Sequence, residues 1–347
     1  MKRLILTISA VAALISCSKD ETVAVSNNSA IIFDNAFVEN STRAIDNSYT
    51  NSNLTEFEVY GTITGSQQNG GGTANIFKQE KVQKGVSEGT GDVWKYNAAN
   101  TQYWIAGNTY NFKAIADGNV SGVTEVVTDR YDMPTAIKLL DASKQKDILY
   151  AEDLDVKYTS GEKTVNFTFE HLMAKAKFTV KNAITTDSGY SYMVKNVKIT
   201  NAAKDAVYTI DTGRWATKTG TYTLSFGDIV DERLINNNTP ADYQPIDMAY
   251  NTSGVSNYER LIIPTVTTGI NVEFTCELYK SGVLIDKQTK TIQADNLTIT
   301  KGNAYNFVIS LGNPGEPIKF SVHDVKGWDT DHDNDGNNND PTNIPNN

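Results

Sequence analysis

The stretch VNFTFEHLMAKAKFTV, residues 165–180, decides how the rest of the chain is read. Val165, Phe167 and Phe169 alternate with Asn166 and Thr168, and a second alternation runs from Lys175 to Val180. A period of two sends successive side chains to opposite faces, so each run reads as a half-buried β-strand. His171 falls in the break between them.

The same period recurs on both sides of this break. Upstream it covers Phe57–Thr64 and Tyr110–Ala116. Downstream it covers Val194–Ile199, Val207–Ile210, Tyr222–Phe226, Val272–Leu278, Tyr305–Leu311 and Ile318–Val322. Many short strands separated by Gly, Asn, Asp and Ser predict an all-β protein of antiparallel sandwiches. Helix signals are few, and Pro134–Asp141 is expected to hold one or two turns. The run GSQQNGGG, Gly65–Gly72, reads as a surface turn. A chain of 347 residues suits two domains with separate cores. No Pro/Gly linker divides it, so the boundary is set at His171, giving domains 44–171 and 172–328.

Residues 1–17 read as an export signal, with Lys2 and Arg3 before an apolar run from Leu4 to Ile15. The run ends Leu14-Ile15-Ser16-Cys17, which resembles a bacterial lipobox, so Cys17 is the expected lipidation site. One buried acyl chain holds a protein only marginally, which is why lipoproteins carry two or three. Ser18-Lys19-Asp20-Glu21 resembles the signal that sends such lipoproteins to the outer face of the outer membrane; the alternative is a short solvated tether. Residues 18–43 are then a tether followed by an apolar segment, Ile31–Val38.

With Cys17 acylated, Cys276 is the one remaining cysteine and cannot form an intramolecular disulfide. Its place in the alternation points it inward as a small apolar residue.

The net charge of −10 lacks the footprint of a nucleic-acid binder, and no nucleic-acid partner is expected. Gly85-Val86-Ser87-Glu88-Gly89 matches a nucleophile pattern, but no helix pattern follows it, so it reads as a loop. Three histidines are too few for most imidazole-based sites, and no zinc or phosphate-loop motif occurs. Neither an enzyme nor a cofactor is expected. Asp331, Asp333 and Asp335 before Gly336 start like a calcium loop, but position twelve is Thr342 instead of Glu. Either a weak metal site or a solvated, disordered acidic tail over 329–347 fits this stretch.

Several further stretches occur in a telling order. Thr42-Arg43-Ala44 follows the lipobox. An aromatic series comes next, with Trp94, Tyr96, Tyr103, Trp104, Tyr110 and Phe112. Then come Asp147–Ala151, the stretch 165–180, Leu261-Ile262-Ile263-Pro264, and Lys301-Gly302-Asn303 before Tyr305 and Phe307. Together these resemble the fimbrillin-like subunits of Bacteroidetes type V fimbriae, over nearly the whole mature chain.

The resemblance implies two transthyretin-like β-sandwich domains. It implies a trypsin-like surface protease cutting between Arg43 and Ala44, which removes the first strand and opens a groove. A strand of another fimbrial subunit then fills that groove. The segment Ile31–Val38 is suited to be the removed strand, and Arg43 lies in a polar turn open to a protease.

The C-terminal run 318–328, with Ile318, Phe320 and Val322 on one face, is the expected donor. It follows Asn313-Pro314-Gly315-Glu316-Pro317, whose prolines interrupt ladder pairing. The alternative is that it closes its own sandwich. A different class of function also fits the composition: an anchored module whose 17 Tyr and 4 Trp offer stacking faces to a glycan of a host or bacterial surface.

Overall fold

Among the described residues, helical structure is limited to two single 3-10 turns, Ala98–Asn100 and Ala142–Lys144, and the remaining regular structure is β. The computed structural model describes residues 29–39, 53–65, 72–87, 91–117, 121–186, 189–217, 220–226, 235–236, 259–264, 269–294, 297–325 and 342–343.

The first half supplies β1 (Ile32–Val38), β2 (Glu56–Thr64), β3 (Thr73–Ser87), β4 (Gly91–Lys95), β5 (Asn108–Ala116), β6 (Thr124–Thr128), β7 (Pro134–Leu139), β8 (Leu149–Tyr158) and β9 (Thr164–His171). The second half supplies β10 (Ala174–Asn182), β11 (Tyr190–Ala203), β12 (Ala206–Thr209), β13 (Arg214–Thr217), β14 (Thr221–Ser225), β15 (Arg260–Ile262), β16 (Ile270–Lys280), β17 (Val283–Ala294), β18 (Ala304–Leu311) and β19 (Lys319–Val325).

Seven strands close into a barrel in the order β1-β4-β3-β2-β5-β8-β9. Its interior is aromatic, with Phe33, Phe57, Phe77, Trp104, Phe112, Phe167 and Phe169 all buried. In the second half, a sheet β15-β10-β18-β19 is extended by Thr342–Asn343, and a second sheet runs β14-β11-β16-β17. Phe178, Val194, Phe226, Phe274, Phe307 and Ile309 form a separate core there.

A fourth sheet, β13-β12-β7-β6, takes two strands from each half. It belongs to a third apolar cluster in which Tyr60, Ile137, Leu139 and Tyr150 meet Leu172, Met173, Tyr208 and Leu261. The two halves therefore share buried surface at the joint near His171.

Three expectations change. Pro134–Leu139 is a strand, not a helical turn. Pro134 opens the strand, where its missing N–H costs little. Ile137 and Leu139 then alternate inward between β6 and β12. Asp141 instead caps the following 3-10 turn, its side chain accepting from the Ser143 N–H. Gly85–Ser87 is strand rather than loop, because β3 continues through it to pair with β4. Finally, pairing is not wholly antiparallel. β1 runs parallel to β9, and β10 runs parallel to β18 over eight residue pairs.

Candidate functional site

The seat of β1 is the feature that the fold builds most deliberately. β1 meets β4 at a single register pair, Phe33 with Trp94, and meets β9 at five, from Ile32–Thr164 to Val38–Phe169. It is therefore the stave that closes the barrel. Ile31, Phe33 and Val38 point inward and are buried, while Ile32 and Phe37 are about half exposed on the other face.

Phe33 is the centre of the seat. Its ring lies 5.5 Å from Phe77, 5.7 Å from Tyr96, 5.8 Å from Phe167, and 6.3 Å from both Phe57 and Phe112. Main-chain bonds fix the segment at both ends. Ile31 N donates to Gln102 O, Trp104 N donates to Ser29 O, and Glu39 N donates to Phe169 O. The Tyr96 hydroxyl donates to Ile31 O at 2.8 Å. Burying each of the three large side chains contributes about 1.5–3 kcal/mol, and each ladder bond about 0.5–1.5 kcal/mol net.

The C-terminal segment is also paired within this chain. β19 lies antiparallel to β18 over seven register pairs. Phe320 and Val322 are buried, Ile318 packs on the edge of the same core, and Phe320 stacks on Phe307 at 6.1 Å. Cys17, Arg43, Ala44, Asp331, Asp333 and Asp335 lie outside the described residues. Among the described residues, no three His, Cys, Asp or Glu side chains are grouped to hold a metal ion.

Most of the aromatic series faces inward. Trp94, Trp104, Tyr110 and Phe112 are buried, and Tyr103 is half exposed. The Trp104 indole N–H donates to Lys163 O, which ties the loop before β9 to the barrel interior. Cys276 is buried on β16, and burial pushes its thiol up to about 11, so it is held as a neutral thiol.

Two side chains, Gln145 and Lys175, take roles at the joint that their sequence context does not signal. Gln145 donates from Nε2 to Leu261 O at 2.9 Å and accepts from Leu261 N at 2.7 Å, so its amide imitates a strand neighbour. Lys175 is almost fully buried, with its ammonium 3.6 Å from the Glu259 carboxylate. His171 joins them, its Nδ1 lying 2.8 Å from Asp147 Oδ2 within the buried joint.

Among the described residues the regular structure is almost wholly β, and β1 is the stave that closes the barrel. The chain belongs to the fimbrillin-like family, whose model matches residues 42–328. Membership places it among the structural and adhesive subunits of fimbriae, which are not enzymes and which assemble with other fimbrial subunits.

Among solved structures, a fimbrial protein of Bacteroides vulgatus shares the fold. It is 15% identical, with a TM-score of 0.54 over 86% of this chain and 99% of its own. A candidate cell adhesion protein of Bacteroides uniformis is 17% identical, with a TM-score of 0.44 over 85% of this chain and 98% of its own. No curated protein sequence matches the chain.

Proposed function

We propose that the chain is a subunit of cell-surface fimbriae that is exported as a lipoprotein anchored through Cys17, cut between Arg43 and Ala44 by a trypsin-like surface protease, and assembled by strand exchange. The precursor sits at the outer face of the outer membrane, and the cut product sits in the fimbrium. Residues 44–171 and 172–328 are read as two transthyretin-like domains that share the joint cluster, followed by the tail 329–347.

The observation that carries this reading is the position of β1. It lies wholly upstream of Arg43, it closes the barrel, and the family's model begins only at residue 42. Cutting after Arg43 separates β1 covalently from every other strand. Its loss leaves a seat lined by Phe57, Phe77, Phe112 and Phe167, and leaves β4 and β9 with open edges. Such an edge over an apolar trough recruits another strand.

The donor is assigned to residues 318–328, with Ile318, Phe320 and Val322 as the side chains that fill the seat. In the single chain Lys319–Val325 pairs with β18. The assignment therefore requires β19 to leave its own sheet on assembly.

N-terminal sequencing of the protein recovered from surface fibres tests the cut. Chains starting at Ala44 are expected, and fibre subunits that still carry β1 would sink the reading.

A further inference from the structure

β17 is the last strand of its sheet, with β16 on one side and no described strand on the other. From Val283 to Thr289 every residue is exposed. Val283, Leu284 and Ile285 are 65%, 46% and 50% exposed and form a consecutive apolar run. An open ladder edge beside exposed apolar side chains invites a partner strand. The charges along β17 indicate which strand that is.

Lys287 is engaged within its own sheet, its ammonium 2.9 Å from the Glu277 carboxylate. Asp286 and Lys290 are in no ion pair among the described residues, the Asp286 carboxylate accepting only from the Lys287 N–H and from Gln288 Nε2 on its own strand. The register with β16 shifts at Ile285 and is regular from Asp286 to Ala294, so alternate residues along that run aim their N–H and C=O groups away from β16.

In an antiparallel pair of two such edges, a hydrogen-bonded pair needs an outward-aimed residue from each strand. Partner numbers must then sum to an even value, and the two-fold axis passes through one residue. An axis at Asp286, Lys287 or Lys290 sets like charges face to face. An axis at Thr289 sets Asp286 against Ile292. An axis at Gln288 sets Asp286 against Lys290 twice, and brings the apolar run before the bulge towards the far end of the other copy's strand.

We propose that β17 is a lateral contact between two copies of this chain, paired antiparallel about Gln288 with reciprocal Asp286–Lys290 bridges. A contact of this kind uses the same patch on both partners, so it closes at two and does not propagate. It lies on the second half, on a strand distinct from both the β1 seat and β19, and does not depend on strand exchange.

The test uses the full chain on the cell surface. Gln288 lies directly across the ladder from Cys276, so Gln288→Cys is made together with Cys276→Ala to prevent an internal disulfide. Mild oxidation is expected to give a disulfide-linked dimer from this variant and none from Cys276→Ala alone. Lys290→Cys in the same background, whose partner position is 286, should crosslink at least about tenfold less.

Independently, Asp286→Lys and Lys290→Asp should each lower the dimer fraction measured by sedimentation by about tenfold, and the double swap should restore it. Monomers from a folded Gln288→Cys variant, equal crosslinking from position 290, or a double swap that fails to restore dimers would each overturn the proposal. Where the cysteine variant fails to fold, the charge swap decides.

Discussion

The Phe33 ring lies stacked on Phe167, with centroids 5.8 Å apart and planes at 16°, across the parallel pair of β1 and β9. The rest of its surface is covered edge-on by Phe57, Tyr96 and Phe112 and by the tilted ring of Phe77. Phe33→Ala leaves a cavity that this ring of aromatics cannot collapse into. A loss of about 3–5 kcal/mol is expected for the uncut chain, measured by denaturant unfolding. The same substitution should leave the Arg43-cut protein unchanged once its N-terminal piece has gone. An unaltered midpoint for the uncut variant would show that β1 is not part of the barrel core.

A synthetic peptide of residues 318–328 should bind the Arg43-cut chain and stop its polymerisation, because it brings Ile318, Phe320 and Val322 to the open seat. The uncut chain, whose seat is filled by β1, should not bind it. Fluorescence anisotropy of a labelled peptide reads both. Polymer growth that proceeds normally at saturating peptide assigns the donor to another segment.

Glu277 offers a pH-dependent test of the second half. Bonds from the Lys287 ammonium, the Tyr279 hydroxyl and the Lys195 ammonium hold its carboxyl down at about 2, against an ordinary value of 4.5. A depressed carboxylate stabilises the fold fully above its unfolded value, and the contribution fades as pH falls from 4.5 towards 2. Both lysines are partly in water, so the effect is about 1 kcal/mol. Glu277→Gln should flatten the acid limb of the stability curve in that window. An acid limb identical to that of the unsubstituted chain would rule Glu277 out as its source.

Gln145→Met keeps the volume of the side chain and removes its amide. Leu261 then loses partners for both its N–H and its C=O at the joint, a cost of about 1–3 kcal/mol. Hydrogen exchange should show the Leu261 amide opening faster while the β2 and β5 amides of the barrel stay protected. Unchanged protection at Leu261 would mean that another group satisfies it.

The alternation in residues 165–171 carried far because β9 is buried on one face, the condition under which a period of two becomes visible, whereas β10 keeps the alternation of residue types although Lys175 and Thr179 on its polar face are buried too. β17 shows the opposite case. From Val283 to Thr289 its residues are exposed on both faces at the edge of a sheet, so that part of the strand has no period to detect. Pro134 misled for a local reason, since a proline before Thr-Ala-Ile-Lys-Leu suits the first turn of a helix as well as the start of a strand. Parallel pairing of β1 with β9 joins segments more than a hundred residues apart, and the sheet β13-β12-β7-β6 joins both halves. Neither is written in local composition. The seat itself was half legible. The apolar segment before Arg43 was apparent, whereas the five rings around Phe33 come from segments scattered between residues 57 and 167. Gln145 was invisible, because an amide that stands in for a strand has no sequence signature.

The parallel run of β1 and β9 also determines how the barrel answers a pull. Chain upstream of Ile32 leaves β1 at one end of the barrel, and chain downstream of His171 leaves β9 at the other. Tension between those two exits slides the strands past one another instead of peeling them apart. All five register pairs, and the rings of Phe33 and Phe167 between them, take the load together. A hairpin pulled at its open end yields one bond at a time, whereas this pair yields only when the whole row gives way. The stave that seals the barrel is therefore also a seam that resists tearing as long as the chain is uncut.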